Sequence, residues 1–324
     1  KMPCCDNSPD GIERIGEDCI AISKKDWDAH ETSWDFQTNE LVRIGMEKDL
    51  DSLHSILAYY KREWEEKFFQ LHDNEEELNR RFIGIYGLQD ELTPDVPLEE
   101  VTILQKEEKN IVDGELVWND SAIIKQFLSY LVGCFMGRYS IERPGLVIAN
   151  QGQHPEDLDF VPKVIPIDDD GIIPIIEEAD FFADDMTQRV EAAVESLYGK
   201  EKKEDNLRVI RNAIGMDLRK YFFDKFYADH LSTYSVKGAK RPIYWLFTSK
   251  MGDKRKKGYF KALVYMHRME EDTLSKLHAD YALPYLQKLQ RQLNEVESEL
   301  SRDDLSNRKA MVTMSDNLRA KIRE

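Results

Sequence analysis

Four cysteines in 324 residues (Cys4, Cys5, Cys19 and Cys134) are too few and too unevenly spaced for a disulfide framework. They also lack Cys-x-x-Cys spacing, and the seven histidines are scattered, so no zinc site is expected. The longest apolar run, residues 122–135, is interrupted by Lys125 and Gln126 and falls short of the ~18–20 residues that cross a bilayer. No apolar stretch follows Lys1-Met2-Pro3-Cys4-Cys5, which argues against a secretory leader and makes the cytoplasm the expected compartment, with no membrane partner. Gly-x-Ser-x-Gly is absent. So is a Walker-type loop: Gly133-Cys134-Phe135-Met136-Gly137 is too apolar to cradle phosphate and is not followed by Lys-Ser/Thr.

What the chain does have is charge. Charged residues make up 33%, above the ~25% of an average soluble domain, which points to long solvated helices. The net charge of −17 argues against a nucleic-acid role, because phosphate binding needs cations. Its distribution argues the other way. Residues 237–268 carry ten Lys/Arg against Asp253 alone: Lys237, Lys240, Arg241, Lys250, Lys254, Arg255, Lys256, Lys257, Lys261 and Arg268. That segment is about +9 and leaves about −26 on the rest, the pattern of one defined face for an anionic partner.

Periodicity gives the elements. Residues 1–45 read as an irregular docked arm, with a turn cluster at Asn7-Ser8-Pro9-Asp10-Gly11 and Trp27, Trp34 and Phe36 available for packing. Residues 46–87 read as a long spacer helix, its apolar stripe broken at Glu75 and its end marked by Gly87. Residues 88–268 read as a mixed α+β module. It begins with short strands at 101–104 and 115–118 beside Asp113-Gly114, followed by a helix capped at Asn119 or Asp120 and a long Pro/Gly-punctuated loop over 142–175. Helices over 184–198 and 203–226 precede two strands, 243–248 and 259–266, joined by the basic loop. Residues 269–324 read as a second long helix that Pro284 kinks or splits. The two long helices each carry one apolar stripe seeking cover, so they are able to pair with one another.

Several patterns point to chemistry without establishing it. Lys250-Met251-Gly252-Asp253-Lys254-Arg255-Lys256-Lys257-Gly258 is a cationic loop able to reach phosphates, although charge runs commonly mark solvated hairpin tips. Tyr244, Trp245 and Phe247 are able to stack on bases, but strand alternation puts Trp245 and Phe247 in the core. Three Glu-x-Lys fragments, at 65–67, 107–109 and 201–203, are what chance supplies in so charged a chain. Asp168-Asp169-Asp170 before Gly171 fits a polar turn better than a Mg²⁺ site. No catalytic, cofactor or metal residue is assigned.

Four stretches carry a family resemblance. They are Ile22-Ser23-Lys24-Lys25-Asp26-Trp27 with Glu31-Thr32-Ser33-Trp34-Asp35-Phe36, residues 74–80 with 85–94, residues 130–140, and Arg241-Pro242-Ile243-Tyr244-Trp245-Leu246-Phe247. In that order they resemble the segment beyond the catalytic domain in BREX-type PglX proteins. These are large adenine-specific DNA methyltransferases of phage defence, with fused restriction–modification enzymes close by. The resemblance implies S-adenosylmethionine-dependent methylation of adenine N6 in the intact enzyme. That chemistry uses an Asn/Asp-Pro-Pro-Tyr/Phe motif to grip the flipped base, and this chain contains no Pro-Pro.

The expectation is therefore a predominantly helical α+β chain lying beyond the methyltransferase fold and non-catalytic by itself. Its expected role is double-stranded DNA binding through Lys237, Lys240, Arg241, Lys250, Lys254, Arg255, Lys256, Lys257 and Lys261. Its expected partners are that DNA and the methyltransferase domain of the same polypeptide. The rival expectation is a protein-interaction module that docks other defence-system subunits through its long stripes.

Overall fold

The computed structural model describes residues 10–179, 181–183, 185–250, 257–301 and 308–323. It is α+β and predominantly helical, as expected. The first helices are α1 (Asp10–Asp28), α2 (Glu40–Lys48) and α3 (Leu53–Tyr86), followed by the hairpin β1 (Lys109–Val112) and β2 (Glu115–Trp118). Then come α4 (Asp120–Met136), β3 (Ile172–Ile175), α5 (Met186–Tyr198), α6 (Lys203–Ile214) and α7 (Leu218–Tyr221), the last running through a π turn into α8 (Tyr227–Thr233). The remainder holds β4 (Ser235–Val236), β5 (Ala239–Lys240), β6 (Tyr244–Thr248), β7 (Lys261–Tyr265), α9 (Thr273–Lys276), α10 (Leu283–Leu300) and α11 (Arg308–Arg323). No helix among the described residues is long and apolar enough to cross a membrane.

The chain divides into two compact units, Lys1–Tyr130 with Leu197–Gly215, and Leu131–Ser196 with Met216–Glu324. The first is built around α3, whose 34 residues extend about 50 Å. Its buried positions are Leu53, Ile56, Leu57, Tyr60, Trp64, Phe68 and Leu71, and burial stops there, just before the break that Glu75 makes in the stripe. Gly87 ends the helix in a left-handed conformation (φ 70°) that only glycine adopts without strain. Residues expected to be irregular form α1 and α2 instead. Ile12, Ile15, Cys19 and Ile22 follow a 3–4 spacing that intervening acids obscure, and this face packs on α3. Residues 101–104, expected as a strand, form no regular element, Leu104 turning the chain at φ 64°, and Val101, Ile103 and Leu104 are buried. The strand forms at 109–112 because Asp113 (φ 53°) and Gly114 (φ 80°) make the two-residue turn that pairs Val112 with Glu115.

The second unit centres on an antiparallel sheet in the order β3-β7-β6. Strand alternation gives the sheet two apolar faces, so it needs cover on both. Ile172, Ala262 and Val264 meet Tyr285, Leu289, Leu293 and Val296 of α10 and Leu318 of α11. The opposite face presents Ile173, Leu263, Tyr265 and Tyr244, all buried. Pro284 lies in the first turn of α10, where its missing N–H is tolerated, and the preceding helical path is a π turn over Leu277–Ala282. The stripe of α3 meets α1 and α2 in the first unit, and that of α10 meets α11 and the sheet in the second.

Candidate nucleic-acid interface

The short hairpin β4–β5 presents cations. Lys237 (φ 50°) and Gly238 (φ 82°) form its tip, and Val236 pairs with Ala239 across it. Two successive left-handed residues match the twist of a hairpin, which is why the second is glycine. Lys237, Lys240 and Arg241 are exposed. No side chain among the described residues pairs with any of the three. The hairpin is anchored where the Arg241 amide N–H donates to the Tyr234 carbonyl at 3.1 Å.

The larger basic loop springs from β6 and β7. At its neck Gly258 (φ 72°) sits against Thr248, whose Oγ1 would lie 2.3 Å from an added Cβ. Lys250 is half-buried beside it. Lys254, Arg255 and Lys256, with Gly252, lie outside the described residues.

The other cations of the segment are already engaged. Lys257 Nζ meets Glu177 Oε1 at 2.6 Å, a hydrogen bond that raises its pKa. Lys261 Nζ donates to the Phe223 carbonyl at 2.6 Å and sits 3.6 Å from the centre of the Phe223 ring, and burial lowers its pKa. Arg268 is only 5% exposed. Its guanidinium donates to the carbonyls of Asp168 and Asp169, each at 2.7 Å, so it stitches a loop and offers no surface charge.

The aromatic run also departs from expectation. Tyr244, not Trp245, is the buried residue, and Trp245 is 44% exposed. Strand β6 lies at the sheet edge, so Trp245 shares the α10 face with Val264 but lies beyond most of its cover. Phe247 is partly buried against that core.

Asp168-Asp169-Asp170 makes the turn into β3. Asp168 Oδ1 accepts N–H groups from Asp170 (3.2 Å), Gly171 (2.6 Å) and Ile172 (3.1 Å), and Oδ2 meets the Arg189 guanidinium. Burial pushes Asp168 up to about 7 and Arg189 opposes it. Asp170 accepts from Ile172 N–H and the Tyr281 hydroxyl. Among the described residues no cluster of three metal-binding side chains exists.

A polar cluster in the first unit escapes sequence reasoning. Glu108, fully buried, accepts Gln126 Nε2 (2.7 Å) and Gln105 N–H (3.0 Å), and Tyr60 and His30 each approach at 3.5 Å. Glu107-Glu108-Lys109 reads as surface charge in sequence; only the chain path shows that its middle residue is inside. What the described arrangement supplies is exposed positive charge with an exposed indole nearby in sequence, groups suited to phosphate and base contact.

No family model matches the sequence. Two curated relatives do. The adenine-specific methyltransferase PglX of Lacticaseibacillus casei (strain Zhang) is 35% identical over 298 residues, covering 89% of this chain and 22% of the relative. The adenine-specific methyltransferase BrxX of Escherichia coli O9:H4 (strain HS) is 31% identical over 320 residues, covering 93% of this chain and 25% of the relative. The chain thus spans about a quarter of the length of the curated relatives it matches. This chain belongs to the BREX-type PglX family of adenine-specific methyltransferases, of which it represents a partial region.

Proposed function

We propose that this region binds duplex DNA and contributes to target recognition for an adenine-N6 methyltransferase, while methyl transfer and its S-adenosylmethionine belong to another part of the polypeptide. The observation that carries the reading is the β4–β5 hairpin. Lys237, Lys240 and Arg241 are exposed with no carboxylate partner among the described residues, on a chain of net charge −17. Unpaired cations on an acidic body attract a polyanion to one place and repel it elsewhere. The lack of any Pro-Pro supports a role outside the base-gripping chemistry. The cytoplasm, where such DNA resides, is the matching compartment.

Duplex affinity measured at several salt concentrations tests this. The wild-type chain binds with a steep salt dependence, and replacing Lys237, Lys240 and Arg241 together by Ala lowers the slope by roughly 0.9 for each phosphate left without its cation. An unchanged slope removes the hairpin from the interface.

A second reading, docking against the rest of the polypeptide or another defence subunit, is favoured by Trp34 (95% exposed) and by Ile20 and Trp27, seven residues apart on one face of α1. Exposed apolar groups of this size commonly mark protein contacts. Replacing Trp27 and Trp34 by Ser should weaken association with the separately produced remainder of the enzyme; unaltered association rejects it.

A further inference from the structure

Helix α4 ends in a closure that delivers one cation into the interior of the second unit. Gly137 (φ 83°) reverses the chain, its N–H bonding the Cys134 carbonyl at 3.1 Å and that of Arg138 bonding the Gly133 carbonyl at 2.8 Å. Gly133 is required as well, since a Cβ there would lie 2.4 Å from the Tyr139 ring. The Arg138 side chain then runs beside that ring, Nε donating to the Tyr139 hydroxyl at 3.0 Å.

Arg138 is 8% exposed, yet no carboxylate among the described residues pairs with it. Arg189 is compensated by Asp168, Arg219 by Asp185 and Arg43 by Glu40 and Glu63, while Arg268, also buried, is bonded to two backbone carbonyls. Around Arg138 stand tyrosine hydroxyls and two histidines. Burial and then the Arg138 charge lower the pKa of both His230 and His267. His230 Nε2 accepts the N–H groups of Ile243 and Tyr244, so the proton sits on Nδ1, which has no partner among the described residues. Taking a guanidinium out of water without a counter-charge is costly, and the C-terminal end of α4 offsets only part of that.

We propose that Arg138 is an anion subsite and that its ligand is a phosphate group of the nucleic acid drawn in by the adjoining β4–β5 hairpin. The hairpin is joined to this cluster through the Arg241–Tyr234 backbone bond, and Tyr234 lies near enough to Arg138 to interact with its charge. A planar guanidinium grips phosphate through paired N–H donors. The proposal deepens the duplex-binding reading and rests on it for the source of the phosphate.

Inorganic phosphate alone is the probe for the subsite. It is titrated into the wild-type chain at constant ionic strength made up with chloride, while NMR follows the His267 ring and a thermal melt follows stability. Phosphate should raise both the His267 pKa and the melting temperature. Arg138→Gln should abolish both responses and weaken duplex binding roughly tenfold, and Arg138→Lys should restore part of each. Identical behaviour of wild type in phosphate and chloride overturns the subsite, and this measurement stands even if the variant fails to fold. A phosphate response without duplex binding upholds the subsite for a free phosphate ligand and removes the duplex reading. Duplex binding without a phosphate response does the reverse.

Discussion

The carboxamide of Asn206 caps the start of α3, accepting the Leu53 N–H at 2.7 Å and donating to the Asp51 carbonyl at 2.8 Å. Ser52, the residue just before the helix, makes no side-chain capping bond. Asn206 is buried, so removing it strands a helix-end donor and a carbonyl away from water. Asn206→Ala should therefore destabilise the first unit by about 1–2 kcal/mol, read as a lower urea midpoint at unchanged slope. An unshifted midpoint would mean that water replaces the cap.

This bond marks where the sequence stops being readable. Elements whose signal is local were legible: the stripe of α3 with Gly87 after it, the Asp113-Gly114 turn, and the β6–β7 pair. A cap supplied from 153 residues away was not. Charge was legible only as a count. Lys237 and Arg268 weigh the same in sequence, but one stands exposed at a hairpin tip and the other ties two loop carbonyls inside the protein. Alternation likewise sorted Trp245 from Tyr244 without revealing which face was covered, because that depends on β6 lying at the sheet edge.

His30 bridges Asp26 and Glu108 inside the first unit. Its Nδ1 lies 2.7 Å from the Asp26 carbonyl and its Nε2 3.5 Å from the Glu108 carboxylate, so each ring nitrogen faces an acceptor, an arrangement that favours the protonated ring. Burial opposes the charge, but Glu108 and Asp26 prevail and the pKa is raised. A raised histidine stabilises fully below the unfolded value of about 6.5 and loses that contribution as pH rises through the folded value. Lys109, lowered to about 8 mainly by burial, works in the opposite sense above that pH. Stability should thus decline from pH 6.5 towards 8, and Glu108→Gln should flatten the decline in urea titrations. Parallel profiles for variant and wild type would dissociate His30 from Glu108.

His230 behaves oppositely. Burial, aided by the Arg138 charge, lowers it to about 4. The unfolded chain then takes up a proton between about 6.5 and 4 that the folded chain refuses, so acidification across this window costs on the order of 3 kcal/mol. Asp168, raised to about 7, pulls the other way over the same range, so the comparison must be with a variant. His230→Gln should reduce the pH slope of stability between 4.5 and 6.5 by close to one proton. Equal slopes would show that His230 is protonated in the fold.

The cations of residues 237–268 should separate by their present partners when duplex binding is measured. Lys237, Lys240 and Arg241 break no described side-chain bond on meeting a phosphate, so each alanine substitution should weaken binding and lower the salt slope. Lys257 must leave Glu177, but a solvent-exposed pair of this kind is worth only about 0–1 kcal/mol, so removing Lys257 should register at a reduced size. Lys261 is tied to the Phe223 carbonyl and ring, and Lys261→Met should leave the salt slope unchanged while lowering the melting temperature. The ordering, hairpin first, Lys257 second and Lys261 negligible, follows from local bonding and not from position in the segment. A uniform weakening across all five substitutions would mean that DNA responds to the segment's total charge, and the hairpin would then have no special place in the interface.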